Sequence, residues 1–257
     1  MKGRDLLSLR SPEVWRTEFL SDIVSVMQKQ ENLGKELSYL TVLPDGYVQD
    51  RPYPLVVMLH GFGSNMYDLA DLAPALNPKE YIYVCPNGPL EMQPGFSFAW
   101  SRMRNMASPA DVQQDLQRSE QMLGAFFDEV CEKYHVPSGR AVLLGFSQGG
   151  GMSVRTGISR PQTFGGLVSL CGVIPEEPEL RPKLPAGRSQ RLFIAYGEQD
   201  QALFQERAHS ARKVLESAGY QIFFKGYPMG HQITAEVVSD LCTWLPSVLA
   251  PKSAASA

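Results

Sequence analysis

The sequence predicts an α/β fold in which a mostly parallel β-sheet carries helices on both faces. Short apolar runs recur along the chain, and continuous apolar character is typical of strands buried on both faces of a parallel sheet. Segments with helical periodicity separate these runs, so strand and helix alternate. The length of 257 residues suits one domain with at most a modest extension.

The composition is that of an ordinary globular protein, with 44% hydrophobic residues, 20% charged residues and a net charge of -3. Without a basic cluster, we expect no nucleic-acid partner. No run of about 18 apolar residues occurs, so we expect no integral membrane association. Without a visible secretory signal, the expected location is the cytoplasm. The four cysteines lack paired spacing and are predicted to be free thiols.

Residues 1–32 are predicted to form a helical extension. Ser11, followed by proline, is a plausible helix start, and Gly34 lies just beyond the expected end. The apolar residues between them recur at helical spacing: Trp15, Leu20, Ile23, Val24 and Met27. The main domain is then expected at residues 33–250, and residues 251–257 are predicted to be a disordered tail.

The main domain is predicted to open with an edge strand, in which Leu37, Tyr39 and Thr41 alternate with other side chains. The buried strands are predicted at residues 55–60, 81–86, 141–146, 165–172, 191–197 and 221–227. Helices with an apolar face are predicted at residues 111–134, 202–219 and 233–249. The irregular stretches 86–110 and 173–190 are long enough to be predicted as pocket walls or covers.

The segment Gly145-Phe146-Ser147-Gln148-Gly149 fits the pattern G-x-S-x-G. It follows a strand-like run and precedes a helix-like segment, so Ser147 is predicted to be a nucleophile on a tight strand-to-helix turn. Glycines suit this turn because a Cβ atom at the flanking positions would collide with neighbouring elements. The alternative is a glycine-rich helix start with an unimportant serine.

Two backbone N–H groups are predicted to form an oxyanion hole. Gln148 would supply the first at the positive end of the following helix. Phe62 would supply the second, because it lies between two glycines in the loop after the strand at residues 55–60. His60, at the end of that strand, is predicted to be a structural hydrogen-bonding residue rather than the base.

His231 is the predicted general base, because it follows the last strand and precedes the final helix. His135 and His209 are predicted to lie on the surface. The orienting acid should follow the strand between nucleophile and base, where Asp200 and Glu198 are the candidates. Asp200 is favoured, because it lies at the tip of a glycine-containing turn and can reach back to a histidine.

With these residues in place, the sequence resembles the phospholipase/carboxylesterase family, which includes acyl-protein thioesterases and small bacterial carboxylesterases. The resemblance covers residues from about 37 to 249, and its most specific parts are HGFGSN (60–65), CPNGP (85–89), GFSQGGGMS (145–153), YGEQD (196–200) and MGH (229–231). It implies an α/β-hydrolase fold with Ser147 as nucleophile, Asp200 and His231 as its partners, and Phe62 and Gln148 as backbone donors. It also implies no cofactor and no metal.

The sequence departs from the family pattern at two places near these residues. Trp100-Ser101-Arg102 stands where the family commonly has Trp-Phe-Asp, and the segment 201–204 stands where the family commonly has Val-Pro. The extension at residues 1–32 is also additional. These departures leave the predicted catalytic residues in place and bear on the substrate.

Tyr67, Trp100 and Met103 are the candidate substrate-binding residues. They lie in segments expected at the carboxyl ends of the strands, where ligands bind in open α/β sheets. Apolar and adaptable side chains there would suit an acyl chain, and simple loop packing is the alternative.

The predicted function is that of a serine esterase, which hydrolyses carboxylic esters of short to medium acyl chains through an acyl-enzyme intermediate. The expected partner is a small-molecule ester substrate, and a homodimer stays open. An acyl-thioesterase or lysophospholipase on the same site is the alternative within enzymes. A catalytically silent hydrolase-fold protein that binds a ligand is the alternative outside them.

Overall fold

A computed structural model describes residues 27–250, whose strands form one large sheet and one hairpin. The strands are β1 (Gln28–Leu33), β2 (Ser38–Leu43), β3 (Leu55–Leu59), β4 (Ile82–Pro86), β5 (Leu90–Gln93), β6 (Ser97–Ala99), β7 (Ala141–Phe146), β8 (Phe164–Leu170), β9 (Arg191–Gly197) and β10 (Gln221–Tyr227). The large sheet has the order β1-β2-β4-β3-β7-β8-β9-β10. Its pairs β1–β2 and β2–β4 are antiparallel, and the others are parallel. The predicted mostly parallel sheet is confirmed.

Helices connect the strands as the alternating pattern predicts. They are α1 (Ala73–Leu76), α2 (Pro109–Lys133), α3 (Gln148–Gly157), α4 (Glu177–Leu180), α5 (Ala202–Ser217) and α6 (Ala235–Leu249). The start of α2 shows that residues adjacent in the sequence can set a helix boundary. The Ser108 hydroxyl accepts a hydrogen bond from the Asp111 N–H, and Pro109 occupies the first turn, where no N–H is needed.

Strand β3 shows why the apolar runs are continuous. Leu55, Val57 and Leu59 belong to one hydrophobic cluster, whereas Val56 and Met58 belong to the cluster on the other face of the sheet. All five are buried. Alternate side chains of a strand point to opposite faces, so a strand covered on both faces needs apolar residues throughout. Burial of each such side chain contributes about 1.5–3 kcal/mol to folding.

Helices cover both faces of the sheet. The first cluster takes Leu123 and Phe127 from α2 and Val214 from α5. The second takes Leu241 and Trp244 from α6. The predicted layers, helix on sheet on helix, are therefore confirmed, and the α/β-hydrolase fold places the carboxyl ends of β3, β7 and β9 along one edge.

The prediction of helix up to residue 32 is wrong. Gln28–Leu33 form β1, which pairs antiparallel with β2. Strand β1, rather than β2, is therefore the edge of the sheet. Its sequence QKQENL is almost entirely polar and carries no strand signal. The hydrogen bonds to β2 stabilise it, and Gly34 forms the tight turn between the strands by donating its N–H to Leu37 O at 3.1 Å.

The sheet therefore begins at Gln28, before the expected domain boundary at residue 33. The rest of the predicted helical extension, residues 1–26, lies outside the described residues, as does the predicted tail at 251–257.

The two stretches predicted to be irregular contain short elements. Residues 86–110 include the β5–β6 hairpin, and residues 173–190 include α4. All four cysteines are free thiols, as predicted. Within residues 27–250, no helix is both long and apolar enough to cross a membrane.

Candidate active site

Ser147 lies on the tight turn between β7 and α3, with φ 55° and ψ −118°. Positive φ is strained for any residue with a side chain, so the surroundings must hold it. The Ser147 N–H donates to Leu170 O at 2.9 Å. A Cβ atom at Gly149 would lie 2.1 Å from Leu59 O, and one at Gly145 would lie 2.1 Å from Gly149 O. The predicted strand-to-helix turn is confirmed, and both glycines are sterically required there.

The structure brings Ser147, His231 and Asp200 into one hydrogen-bonded line. Nε2 of His231 lies 2.8 Å from Ser147 Oγ, and Nδ1 lies 2.7 Å from Asp200 Oδ2. A carboxylate can only accept, so the proton of a neutral imidazole lies on Nδ1 and the Ser147 hydroxyl donates to Nε2. The three side chains come from the turn after β7, the turn after β9 and the loop after β10.

Asp200, rather than Glu198, is the carboxylate that contacts His231. The Asp200 side chain is only 1% exposed, and its Oδ1 accepts the Gln201 N–H at 2.7 Å. Glu198 is exposed, and its carboxylate lies beside Gly226 instead. The hydrogen bond from Gln201, the residue before α5, fixes the Asp200 carboxylate, so that its other oxygen stays directed at the imidazole.

The two predicted oxyanion donors belong to the residue after the serine and to the loop after β3. Gln148 is the first residue of α3, and Phe62 follows Gly61, where a Cβ atom would lie 3.5 Å from Ser147 Cβ. Within residues 27–250, neither the Phe62 N–H nor the Gln148 N–H donates a hydrogen bond. Both are free to bind an anion, and the helix dipole of α3 adds partial positive charge at Gln148.

Gln148 has a second contact set that the sequence did not indicate. Its side-chain carbonyl accepts the Trp100 N–H at 2.8 Å, and its amide nitrogen donates to Ser101 O at 2.8 Å. This amide links the nucleophile turn to the loop after β6. The residue after the serine in G-x-S-x-G therefore holds the loop after β6 through its side chain, and its backbone N–H is a predicted oxyanion donor.

His60 is a buried structural residue, as predicted. Its Nδ1 lies 2.7 Å from Gly61 O and donates to it, while its Nε2 accepts the Gly88 N–H at 3.0 Å. Both ring nitrogens are thereby satisfied in the neutral form. Burial lowers the pKa of His60 from 6.5 to about 4.

This pKa predicts a loss of stability in mild acid. The unfolded chain gains a proton on His60 near pH 6.5, whereas the folded protein does so only near pH 4. The stabilisation is therefore complete above pH 6.5 and is lost as the pH falls through this window, by about 3 kcal/mol. Urea unfolding at several pH values should show a smaller loss in His60→Asn than in the wild type. The exposed His135→Asn is the control, and an equal loss in all three proteins would contradict the assignment.

The prediction that Trp100 lines the substrate pocket is wrong. Trp100 is 0% exposed and belongs to the core. Its indole N–H donates to His60 O at 2.9 Å, and its carbonyl accepts the Ser119 hydroxyl. A polar partner inside the core lets the indole be buried completely, which the position of Trp100 in a long loop did not reveal.

Tyr67 and Met103 are exposed, at 42% and 44%, but no hydrogen bond or ring contact joins either to the serine or the histidine. A hydrogen bond with Glu31 of β1 raises the pKa of Tyr67, so its hydroxyl lies on the β1 side of the loop. Their role in substrate binding remains a prediction. Arg102 forms a bidentate pair with Asp115 and is thereby held at the start of α2.

Two phenylalanine rings contact the His231 imidazole. Phe204 lies 4.2 Å away between ring centroids with an interplanar angle of 35°, and Phe146 lies 4.9 Å away at 41°. Sequence reasoning missed both contacts. Phe146 could have been found from its place next to Ser147, whereas Phe204 carries no motif of its own.

One group among the described residues has the composition of a metal site, namely Cys171 with Asp200 and His231. Their ligand atoms lie within 4.8 Å of one another. Burial raises the pKa of the Cys171 thiol to about 12, so the thiol stays protonated. Metal ligation needs a thiolate and a free imidazole nitrogen, but Nδ1 of His231 is already hydrogen-bonded to Asp200. The donor set suits a hydrogen-bonded histidine better than a metal ion.

Comparison with known proteins adds the family context. The model of the family described as Phospholipase/Carboxylesterase matches residues 48–249. Acyl-protein thioesterase 1 of Aspergillus fumigatus is 27% identical over 214 residues, which cover 77% of this chain and 88% of that protein. Acyl-protein thioesterase 1 homolog 1 of Dictyostelium discoideum is 26% identical over 230 residues, covering 82% and 99%.

Solved structures share the fold. The crystal structure of esterase PE8 has a TM-score of 0.69 at 23% identity and covers 83% of this chain and 100% of its own. The carboxylesterase of Bacillus cereus has a TM-score of 0.68 at 20% identity, covering 84% and 96%.

Proposed function

The chain belongs to the phospholipase/carboxylesterase family, and from this we propose that it is a serine esterase that hydrolyses carboxylic esters through Ser147, His231 and Asp200. The observation that carries the proposal is the unbroken hydrogen-bonded line from Ser147 Oγ to the Asp200 carboxylate, with distances of 2.8 Å and 2.7 Å. A family hydrolase with this line intact has the nucleophile, the base and the orienting acid that acyl transfer needs.

In the first half of the reaction, Ser147 Oγ attacks the ester carbonyl while Nε2 of His231 takes the hydroxyl proton. The imidazolium that forms keeps its Nδ1–H bond to Asp200, whose carboxylate stabilises the positive charge. The carbonyl oxygen becomes an oxyanion, which accepts the Phe62 and Gln148 N–H groups.

The tetrahedral intermediate then collapses. The bond to the leaving alcohol breaks, Nε2 returns its proton to the alcohol oxygen, and the acyl group remains on Ser147 as an ester. In the second half, water attacks this acyl-enzyme, with His231 taking the water proton and then returning it to Ser147 Oγ. The products are the carboxylic acid and the free enzyme.

The proposed acyl group is apolar and of short to medium length. The Val173 N–H donates to the backbone oxygen of Ser147 at 3.4 Å, and the Val173 side chain is exposed. Leu203, also exposed, precedes the phenylalanine that contacts His231. Exposed apolar side chains on segments that adjoin the catalytic residues would offer surface to an acyl chain of a few carbons.

A thioesterase on the same site is the second candidate. Two of the relatives above carry the name acyl-protein thioesterase, and the same nucleophile, base and oxyanion donors would serve a thioester. A thiolate is the better leaving group, so it needs less help from the protonated histidine than an alkoxide does.

A chain-length series of p-nitrophenyl esters, from acetate to palmitate, tests the proposal. We expect hydrolysis with a maximum at short to medium chains, whereas a maximum at palmitate would contradict the proposed acyl length. Thioesters with the same acyl groups then give the ratio between the two candidates. Absence of hydrolysis for every ester and every thioester would contradict the proposed function.

A further inference from the structure

Phe204 lies in the first turn of α5 and contacts the histidine that the reaction uses. Its ring centroid is 4.2 Å from that of His231, with an interplanar angle of 35°, which is a tilted face-to-face arrangement. Phe204 belongs to the segment 201–204, where this sequence departs from the usual Val-Pro of the family. The aromatic contact therefore comes from a segment in which this sequence differs from the pattern that it resembles.

An aromatic face acts differently on the two states of an imidazole. The face of a phenylalanine ring carries negative electrostatic potential, which attracts a cation held above it. During the reaction His231 alternates between neutral imidazole and imidazolium, and the positive charge exists only while the serine proton is on Nε2. Contact with Phe204 is thus stronger in the charged state, which is the condition for accelerating a reaction.

We propose that Phe204 is a positioning residue that stabilises the His231 imidazolium through its aromatic face. The proposal rests on the proposed function, because it requires that His231 be the base. It predicts an effect on kcat rather than on substrate affinity.

The same helical turn fixes both partners of the histidine. Gln201 donates its N–H to Asp200 Oδ1 at 2.7 Å, and the Gln205 side chain donates to Asp200 O at 2.8 Å. The Phe204 N–H in turn donates to Gln201 O at 3.0 Å. The carboxylate at one edge of the imidazole and the ring over its face are therefore held by one short segment, which fixes their geometry relative to each other.

The other groups that face His231 do not supply the same effect. Asp200 is the ionised group, and it contacts the ring edge at Nδ1. Ser147 contributes a hydroxyl at Nε2, and Cys171 contributes a thiol that burial keeps protonated. The remaining ring contact is Phe146, which lies farther away at 4.9 Å. A change at Phe204 thus alters one aromatic face and leaves the charged partner in place.

Kinetics of Phe204→Leu and Phe204→Tyr separate the aromatic effect from packing. Leucine fills much of the same space without an aromatic face, whereas tyrosine keeps the face. For Phe204→Leu on the best p-nitrophenyl ester, we expect kcat to fall roughly three- to tenfold, with KM unchanged. The acid limb of the kcat/KM profile should move to lower pH by roughly half to one unit, because the protonated imidazole loses its partner. Phe204→Tyr should keep the kcat and the acid limb of the wild type.

Phe224→Leu is the matched control, since Phe224 is a partly buried phenylalanine whose ring contacts are Tyr196 and His209 rather than His231. It should leave kcat and the pH profile unchanged. If Phe204→Leu does not fold, Phe204→Met, which also lacks an aromatic face, carries the same expectation.

Three results would overturn the inference: equal losses in Phe204→Leu and Phe204→Tyr, a change in KM alone, or an acid limb that does not move. Failure of the proposed function gives a different result, because the wild type itself would then be inactive on every ester and thioester. An active wild type with an unaffected Phe204→Leu therefore rejects the role of Phe204 while leaving the esterase intact.

Discussion

Replacement of Ser147 by alanine is expected to lower kcat on p-nitrophenyl esters by on the order of 10⁶-fold. The mutation removes the one oxygen that can form the acyl-enzyme, and His231 then has no hydroxyl to deprotonate. The remaining oxyanion donors and bound substrate can still support a slow attack by water, so a small residual rate is expected. Steady-state kinetics with the most reactive ester of the chain-length series measures the loss.

The fold must survive this change for the result to be informative. Ser147 accepts φ 55° because its backbone is held by Leu170 and by the close approach of Gly149, neither of which involves the hydroxyl. We therefore expect Ser147→Ala to unfold at a temperature close to that of the wild type. A folded variant that retains substantial esterase activity would place the nucleophile elsewhere.

Replacement of Asp200 by asparagine is expected to lower kcat by about 10⁴-fold. The carboxylate accepts the proton of His231 Nδ1 at 2.7 Å, and an amide in its place can donate to that nitrogen instead. The imidazole would then carry its proton on Nε2. That nitrogen must be unprotonated to receive the proton of Ser147. The shape of the side chain hardly changes, so the loss reports on the tautomer of the histidine.

Glu198→Gln provides the matched control, because Glu198 lies two residues away in the same turn and is exposed. It should keep nearly the full activity of the wild type. Loss of activity in Glu198→Gln together with retention in Asp200→Asn would reverse the assignment of the acid.

Much of the fold could be predicted because it depends on patterns within single elements. Strand β3 is buried on both faces, so its sequence is apolar throughout and signals a parallel sheet without further information. The turn that carries Ser147 could be predicted as well. Its glycines at 145 and 149 are required by backbone atoms that come within 2.1 Å of where a Cβ would be, and this steric need leaves a fixed spacing in the sequence.

Features that depend on contacts between separate elements could not be predicted in this way. Strand β1 is polar, and its stability comes from hydrogen bonds to β2. Trp100 lies in a long loop, yet the carbonyl of His60 offers its indole a buried partner. Both cases depend on a contact with another segment of the chain, namely the neighbouring strand for β1 and a residue 40 positions away for Trp100, and such contacts leave no periodicity in the segment itself.

The neighbours of His231 likewise include a residue that could be predicted from the sequence and one that could not. Asp200 and His231 could be placed because chain order and turn chemistry constrain them. Phe204 could not, because a phenylalanine at the start of a helix has many possible neighbours, and only the path of α5 brings its ring to 4.2 Å from the imidazole.

Labelling with a fluorophosphonate probe tests the central claim most directly, since the reagent phosphonylates a serine that is activated by a histidine. Intact-mass spectrometry of the folded wild type should show one adduct, peptide mapping should place it on Ser147, and Ser147→Ala should remain unlabelled. Folded wild-type protein that does not react, or an adduct on a different residue, would contradict the assignment of Ser147 as the nucleophile.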